Sequence, residues 1–447
     1  MQHVKIGLIS LGCPKNLVDS QNLLTLLMKE RYQISSSYEE ADVVVVNTCG
    51  FIESAIDESL ETIGEALNYC KNVVVTGCLG PRRDLILSTY PQVKAITGPH
   101  SAQAVVEEIK KIVSVAVNAP CIHVPKGGVL LTPNHYAYLK ISEGCSHKCS
   151  FCIIPKLRGS LESFDAEKII ETAKAYVERG VKELIVVAQD TSAYGMDVKY
   201  KPFMNYERGD LYALTRELGK LGVWQRVHYS YPYLHVEKLV EQMAEGLVLP
   251  YMDIPMQHVS QNVLRLMKRP GSQAGHLDMI NRYRSICPDL TIRSTFIVGF
   301  PGESEKDFEE LLEFIEEAKL DRVGCFTYSP VFGADANELP NQVDEEVKLE
   351  RLDRFMLLQQ KISTDKLAKK VSTVQDVIID EIRDEGLVGR TKGDAPEIDG
   401  VVYVNNESNK PIKVGDIVKV HITASDEYDL EGDAISYWCH MLYVWLF

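Results

Sequence analysis

Short apolar runs rich in β-branched residues alternate with longer stretches whose apolar positions recur at three and four through the first 115 residues. The runs Val4–Ser10, Asp42–Val46 and Val73–Thr76 predict strands, and the stretches Asp19–Glu30 and Ile52–Leu67 predict amphipathic helices. Strand and helix in alternation imply an α/β unit, a doubly wound parallel sheet with helices on both faces. A loosely patterned stretch at 114–133, broken by Pro120, Pro125, Gly127 and Gly128, reads as a connector.

The pattern resumes at Tyr136. Strand-like runs recur at Ala137–Ile141, Glu183–Ala188, Arg226–Ser230, Tyr251–Ile254, Thr291–Val298 and Arg322–Tyr328. Helices such as Ala166–Arg179 and Glu305–Ala318 separate them. Six βα units predict a (β/α) barrel or partial barrel with chemistry at the carboxyl ends of its strands. A charged helix over Asp344–Lys370 leads out to short β-rich runs at Val374–Ile379, Leu387–Thr391, Val401–Val404 and Ile417–Ile422. Their spacing predicts a small antiparallel β-barrel. The expected division is therefore 1–115, 136–366 and 371–437.

Composition narrows the function. The chain has 447 residues and a formal net charge of −15, which argues against a general nucleic-acid binder. Over 371–433 fifteen acidic side chains face six basic ones, so the small barrel would repel a phosphate backbone and suit a basic protein partner. No apolar run reaches eighteen residues, so no membrane partner is expected. The start lacks the pattern of a secretory leader, and a cytoplasmic location is the expectation. Eleven cysteines in a reducing compartment point to metal binding rather than disulfides.

Three of those cysteines fall within eight residues, Cys145, Cys149 and Cys152, after the first strand of the second segment. Three thiolates so spaced can bend round one metal centre. On a four-iron cubane they leave one iron open, free to chelate the amino and carboxylate groups of S-adenosylmethionine. The alternative is zinc with His147 as fourth ligand, although a histidine between two cysteines is poorly spaced for a zinc hairpin. Three more cysteines, Cys13, Cys49 and Cys78, each follow a predicted strand of the first segment. Parallel strands would bring all three to one sheet edge, where ligand sites in open α/β sheets lie. Gly12, Gly50 and Gly77 beside them would permit close backbone approach. The bland reading for any one of them is a small core residue, and that reading is kept for Cys70, Cys121, Cys287, Cys325 and Cys439.

The stretch Cys145-x3-Cys149-x-Phe151-Cys152 resembles the signature of the radical S-adenosylmethionine superfamily. Along nearly its whole length the chain resembles the methylthiotransferases, which carry an N-terminal cluster domain, a radical barrel and a small C-terminal barrel called TRAM. Ser10-Leu11-Gly12-Cys13-Pro14-Lys15-Asn16, Asn47-Thr48-Cys49-Gly50 and Cys152-Ile153-Ile154-Pro155 look like the RimO branch. The family's tRNA-modifying relatives usually carry Gln-Met-Asn-like residues where Pro14-Lys15-Asn16 stands. The sequence departs from the family where Ser163 is followed by Phe164 instead of arginine. It departs again at Glu431, where a tryptophan is common, so the last strand of the small barrel is expected to be altered.

This resemblance implies two 4Fe-4S clusters and S-adenosylmethionine. Cys145, Cys149 and Cys152 would hold the cluster that cleaves the cofactor to a 5′-deoxyadenosyl radical. Cys13, Cys49 and Cys78 would hold a cluster that presents sulfur. The substrate would be the unactivated β-carbon of an aspartate in small-subunit ribosomal protein number twelve, which no side-chain base could deprotonate. A basic ribosomal protein and an electron donor protein are the implied partners. Gln189 and Asp190 at a strand end, with Arg293, Gly299 and Glu303 around Ile297-Val298-Gly299-Phe300-Pro301-Gly302-Glu303, are the implied cofactor contacts. Asp253, Gln257 and His258 close the Tyr251 strand and read as ordinary surface polarity, with a cofactor-ribose or substrate role as the alternative. The rival functions are a tRNA adenosine methylthiotransferase and a non-enzymatic iron–sulfur or zinc carrier.

Overall fold

The computed structural model of the chain describes residues 4–114, 120–406 and 411–435. The first sheet has the order β2-β1-β3-β4-β5, formed by β1 (Lys5–Ser10), β2 (Gln33–Ile34), β3 (Val43–Thr48), β4 (Val73–Gly77) and β5 (Ala95–Ile96). All its pairings are parallel. The valine run of β3 shows why helices cover both faces. Val43 and Val45 pack with Ile6, Leu23, Leu27 and Val105 on one side, while Val44 and Val46 pack with Ile63, Val73, Val75 and Ile86 on the other. The first helix, Pro14–Lys29, begins five residues ahead of the predicted Asp19. Proline at its start presets the helical φ and lacks an amide that would otherwise be unbonded. The described part of the connector, 120–133, carries no helix or strand. It runs against that same helix, the Val129 amide donating to Thr25 Oγ1 at 2.8 Å.

The second sheet has six parallel strands in the order β13-β12-β11-β10-β9-β6. They are β6 (Tyr136–Lys140), β9 (Glu183–Val187), β10 (Trp224–Val227), β11 (Tyr251–Asp253), β12 (Thr291–Val298) and β13 (Arg322–Thr327), while β7 (Ser142–Glu143) and β8 (Glu162–Ser163) form a small separate pair. Helices follow the strands, giving the partial (β/α) barrel expected from the pattern. The strands at Arg226 and Tyr251 end sooner than predicted, at Val227 and Asp253.

A 24-residue helix, Glu345–Ala368, leads to the small closed barrel of β14 (Val374–Arg383), β15 (Gly386–Thr391), β16 (Val402–Asn405), β17 (Ile417–Ser425) and β18 (Leu430–Ala434). Its seams are antiparallel except β16 with β18, which run parallel and close the barrel. The expected alteration of the last strand is not seen: β18 pairs on both edges with Glu431 in place, since Leu430 and Gly432 point inward and residue 431 faces out. The expected end of this unit at 437 and the aromatic tail with Trp438, Trp445 and Phe447 lie outside the described residues, as does Cys439.

This barrel docks on the wide sheet through buried ion pairs. Glu183, fully buried on β9, accepts from Arg226 and from Arg390 of β15 at 2.8 Å each. Arg390 also holds Asp380, and His135 reaches the same carboxylate at 2.7 Å. Arg322 of β13 pairs with Asp394. Several acidic side chains of the small barrel thus face inward. Asp384, Glu385, Asp426, Glu427, Glu431 and Asp433 are among those that stay exposed.

One buried histidine makes the fold acid-sensitive. His276, on the helix Gln273–Ile286, packs edge-on to Phe314, and burial, with Arg269 nearby, pushes it down to about 4. The neutral ring is the folded form, so its contribution is complete above the unfolded value of about 6.5 and is lost as pH falls from there toward 4. Urea titrations of the metal-free chain should lose roughly 3 kcal/mol across that window, and His276→Phe should flatten the loss.

Candidate active site between two cysteine trios

Strands β1, β3 and β4 lie side by side, and each delivers one cysteine to the same edge. Cys13 caps the helix Pro14–Lys29, and Cys49 and Cys78 directly follow β3 and β4. The approach is close: a Cβ on Gly12 would sit 3.1 Å from Cys49 Sγ, and one on Gly50 would sit 2.9 Å from the Cys78 carbonyl carbon. Burial raises the thiols of Cys49 and Cys78. At Cys13 burial is outweighed by Lys15, the Asn16 amide and Arg158, and the thiol falls below its ordinary value.

The second trio sits at the carboxyl edge of the wide sheet. Cys145, Cys149 and Cys152 line a cavity of about 260 Å³ together with Gln189, Tyr229 and Arg269. Burial pushes Cys145 up to about 11 and Cys152 up to about 12. Arg269 is the nearest cation, with Nη1 3.7 Å from Cys149 Sγ and Nη2 donating to the Pro255 carbonyl at 2.7 Å. Its Nε is buried without a partner.

Neither trio has the compactness of a mononuclear site. Among the described residues only Asp19, His100 and Glu143 bring three such donor atoms within 4.8 Å of one another, whereas a tetrahedral zinc with Zn–S near 2.3 Å holds its sulfurs about 3.8 Å apart. His147 does not join the cysteines as a fourth ligand. Its Nε2 faces Asp190 Oδ2 at 2.8 Å and the Tyr233 hydroxyl at 2.9 Å, and its ring stacks on Tyr231 at 3.8 Å.

Three contacts join the two trios. Phe51, two residues after Cys49, lines the cavity of the second trio. Lys15, two residues after Cys13, lies over the ring of Tyr229 at 3.5 Å. Arg158, six residues after Cys152, crosses to the first unit, where its Nε donates to Cys78 Sγ at 3.2 Å. The same guanidinium donates to Asn16 Oδ1, Asp19 and Glu143 at 3.0–3.2 Å. Glu143, held far below the carboxylate range by His100, Lys140 and Arg158 against its burial, also accepts from Gln189 Nε2 at 2.6 Å. The Asp19–His100–Glu143 set is therefore an ion-pair network closed by Lys140 and Arg158, and it lines a second cavity of about 360 Å³. Phe164, standing where arginine is usual, lines this second cavity too.

The other expected contacts divide. Gln189 and Asp190 line the cysteine cavity, and Gln189 Oε1 is buried without a partner. Asp190 is engaged by His147 and by Ser192 Oγ at 2.5 Å, so its visible work is to orient the histidine. Arg293, Gly299 and Glu303 do not line it. Arg293 lies low on β12 and reaches protein carboxylates, Asp253 at 3.1 Å and Asp399 of the small barrel at 3.6 Å. Glu303 accepts from the amides of Gly299 and Phe300 and from Arg351, locking its own turn. Gly299 has φ +70°, and a Cβ there would strike Lys348 at 2.3 Å. Asp253 and His258, expected at the surface, are completely buried. Of the remaining cysteines Cys70, Cys287 and Cys325 are buried as expected, whereas Cys121 is exposed.

Comparison with known proteins agrees with this plan. Family models match as Radical SAM superfamily over residues 139–315, TRAM domain over 371–435 and Uncharacterized protein family UPF0004 over 5–98. The ribosomal protein uS12 methylthiotransferase RimO of Escherichia fergusonii is 57% identical over 435 residues, covering 96% of this chain and 98% of that one. The chain belongs to the RimO family. The RimO of Escherichia coli O1:K1 is 56% identical with the same coverage. The radical S-adenosylmethionine methyltransferase TsrM of Kitasatospora setae superposes with a TM-score of 0.53 at 11% identity, over 74% of this chain and 77% of that one, a likeness of fold alone.

Sequence reasoning passed over Arg158, Arg269 and Tyr229 as members of this site. Nothing in the spacing of Arg158 signals that it crosses to another unit. Arg158→Met would leave Asp19 and Glu143 short of a buried cation, and should lower the urea-unfolding free energy of the metal-free protein by about 3–5 kcal/mol.

Proposed function

We propose that this chain attaches a methylthio group to the β-carbon of an aspartate in ribosomal protein uS12, by radical S-adenosylmethionine chemistry. The observation that carries the reading is the facing of two cysteine trios across one buried interface, in a member of the RimO family. Three thiolates at each place fit a 4Fe-4S cluster with one open iron. Such clusters, when bound, supply reductive cleavage of S-adenosylmethionine at Cys145, Cys149 and Cys152, and a sulfur donor at Cys13, Cys49 and Cys78.

The surrounding residues have matching work. The unpartnered Oε1 of Gln189 is an acceptor for the ammonium of S-adenosylmethionine, and Arg269, with its unpartnered Nε, is a donor for the carboxylate. Phe51 and Phe151 wall the cavity with apolar surface and help to exclude water from it. His147 is held by Asp190 and Tyr233 and keeps the loop between Cys145 and Cys149 in place. Arg293, Gly299 and Glu303 support the sheet beneath without touching the cavity.

The outward acidic group on the small barrel, Asp384, Glu385, Asp426, Glu427, Glu431 and Asp433, suits a basic ribosomal protein and is ill suited to RNA. A tRNA substrate is accordingly not favoured, nor is a carrier without catalysis. No helix among the described residues is long and apolar enough to cross a membrane. An electron donor protein and a cytoplasmic setting complete the proposal.

Anaerobically reconstituted protein should hold about eight irons per chain and add a methylthio mass to uS12 but not to bulk tRNA. Cys145→Ala should abolish 5′-deoxyadenosine formation. Cys49→Ala should still form it while transferring no sulfur, and sulfur transfer by that variant would remove the first trio from the chemistry. Association with uS12 should weaken steeply between 50 and 500 mM salt, concentrations chosen to span about 14 to 4 Å of Debye screening.

A further inference from the structure

An aspartate substrate brings a negative charge into the space between the trios, and we propose that the ammonium of Lys15 receives that carboxylate and selects for it. The inference rests on the function proposed above and assigns the residue that recognises its substrate.

Lys15 is half-buried in the first turn of the helix Pro14–Lys29, between Cys13 and the ring of Tyr229 that lines the second trio's cavity. Among the described residues its ammonium has no carboxylate within 4.0 Å and no hydrogen-bond acceptor, and the ring face at 3.5 Å is its close partner. Two other cations of this interface are held by protein carboxylates, and a third lies on the cofactor side. Lys140 pairs with Asp19 and Glu143, and Arg158 with the same two carboxylates and with Cys78. Arg269 lies against Cys149, on the cofactor side. A ring face offsets only part of the cost of taking an ammonium out of water. A carboxylate arriving there completes the pair.

The seat for Lys15 is held from below. Tyr229 has φ +62°, a left-handed conformation that a bulky residue adopts only under constraint. The constraint is the Asp253 carboxylate, which accepts from the Tyr229 amide at 3.0 Å and faces His228 Nδ1 at 3.0 Å. Arg293 fixes the other oxygen at 3.1 Å and is itself paired with Asp399 of the small barrel. Asp253 is fully buried, orients the ring and acts on Lys15 through its charge, while forming no ion pair with it.

Position matters for the reaction as well as for affinity. The carboxylate carbon of aspartate is bonded directly to the β-carbon, so a pair at Lys15 places the reacting carbon one bond away. An adenine ring carries no charge to offer this ammonium, and an asparagine side chain would leave it unpaired.

The test measures binding of reconstituted wild type, Lys15→Met and Lys15→Arg to fluorescently labelled uS12, and to uS12 whose target aspartate is changed to asparagine. Wild type should bind the aspartate form at least about tenfold more tightly. Lys15→Met should bind both forms alike, at the level of wild type with asparagine, and Lys15→Arg should keep part of the preference. Undiminished discrimination by Lys15→Met would overturn the proposal. Equal binding of the two forms by wild type would overturn it too, whatever the iron content of the variants. Should wild type add no methylthio mass to uS12, the functional reading itself fails, which is a distinguishable result.

Discussion

A guanidinium only 6% exposed, belonging to one folding unit and hydrogen-bonded to a cysteine of another, is the contact that sets the two units against each other. Arg158 leaves the short helix Ile154–Arg158 just after the second trio and ends among Asn16, Asp19, Cys78 and Glu143. A buried charge of this kind is tolerable only when its donors are matched, and its carboxylates are in turn matched by Lys140 and His100. The consequence is mutual register. Neither sheet can shift against the other without uncovering charge, so the two cysteine trios are held in fixed relation before any substrate arrives. Gln189, tied to Glu143 by its amide nitrogen, carries that register into the cavity.

A second buried set of charges does the same work at the opposite flank. Glu183, Arg226, Arg390 and Asp380 join the small barrel to the wide sheet, and Arg293 with Asp399 adds a further tie. The acidic composition of 371–433 therefore has two physical meanings. Part of it neutralises arginines of the sheet in a water-poor interface. The remainder faces solvent, where its field extends toward an approaching partner. Composition alone gives a single sum and cannot separate these.

Much of the plan was legible in the chain because it depends on local periodicity. The strand Thr291–Val298 and the helix Glu305–Ala318 fall where apolar spacing placed them. Cysteines directly after Val43–Thr48 and Val73–Gly77 follow from parallel strands sharing an edge. The short strands Gln33–Ile34 and Ala95–Ile96 escaped notice, since two residues carry no period. The final strand forms with Glu431 in place because that position faces out, which pairing and not residue identity decides.

Side-chain partnerships across units were beyond the sequence. Arg293 and Glu303 carry the charge that a cofactor contact would require, and only their neighbours show that Asp399, Asp253 and Arg351 already hold them. Asp253 looked like surface polarity until the sheet buried it beneath Tyr229. What the sequence determined by itself was two sheets, a small barrel and six thiols at strand or loop ends, because hydrophobic spacing and cysteine spacing are properties of a chain read in one dimension. Which cations are satisfied and which, like Lys15, are left open was decided by tertiary structure, because the compensation of a buried charge depends on groups that approach from distant parts of the chain.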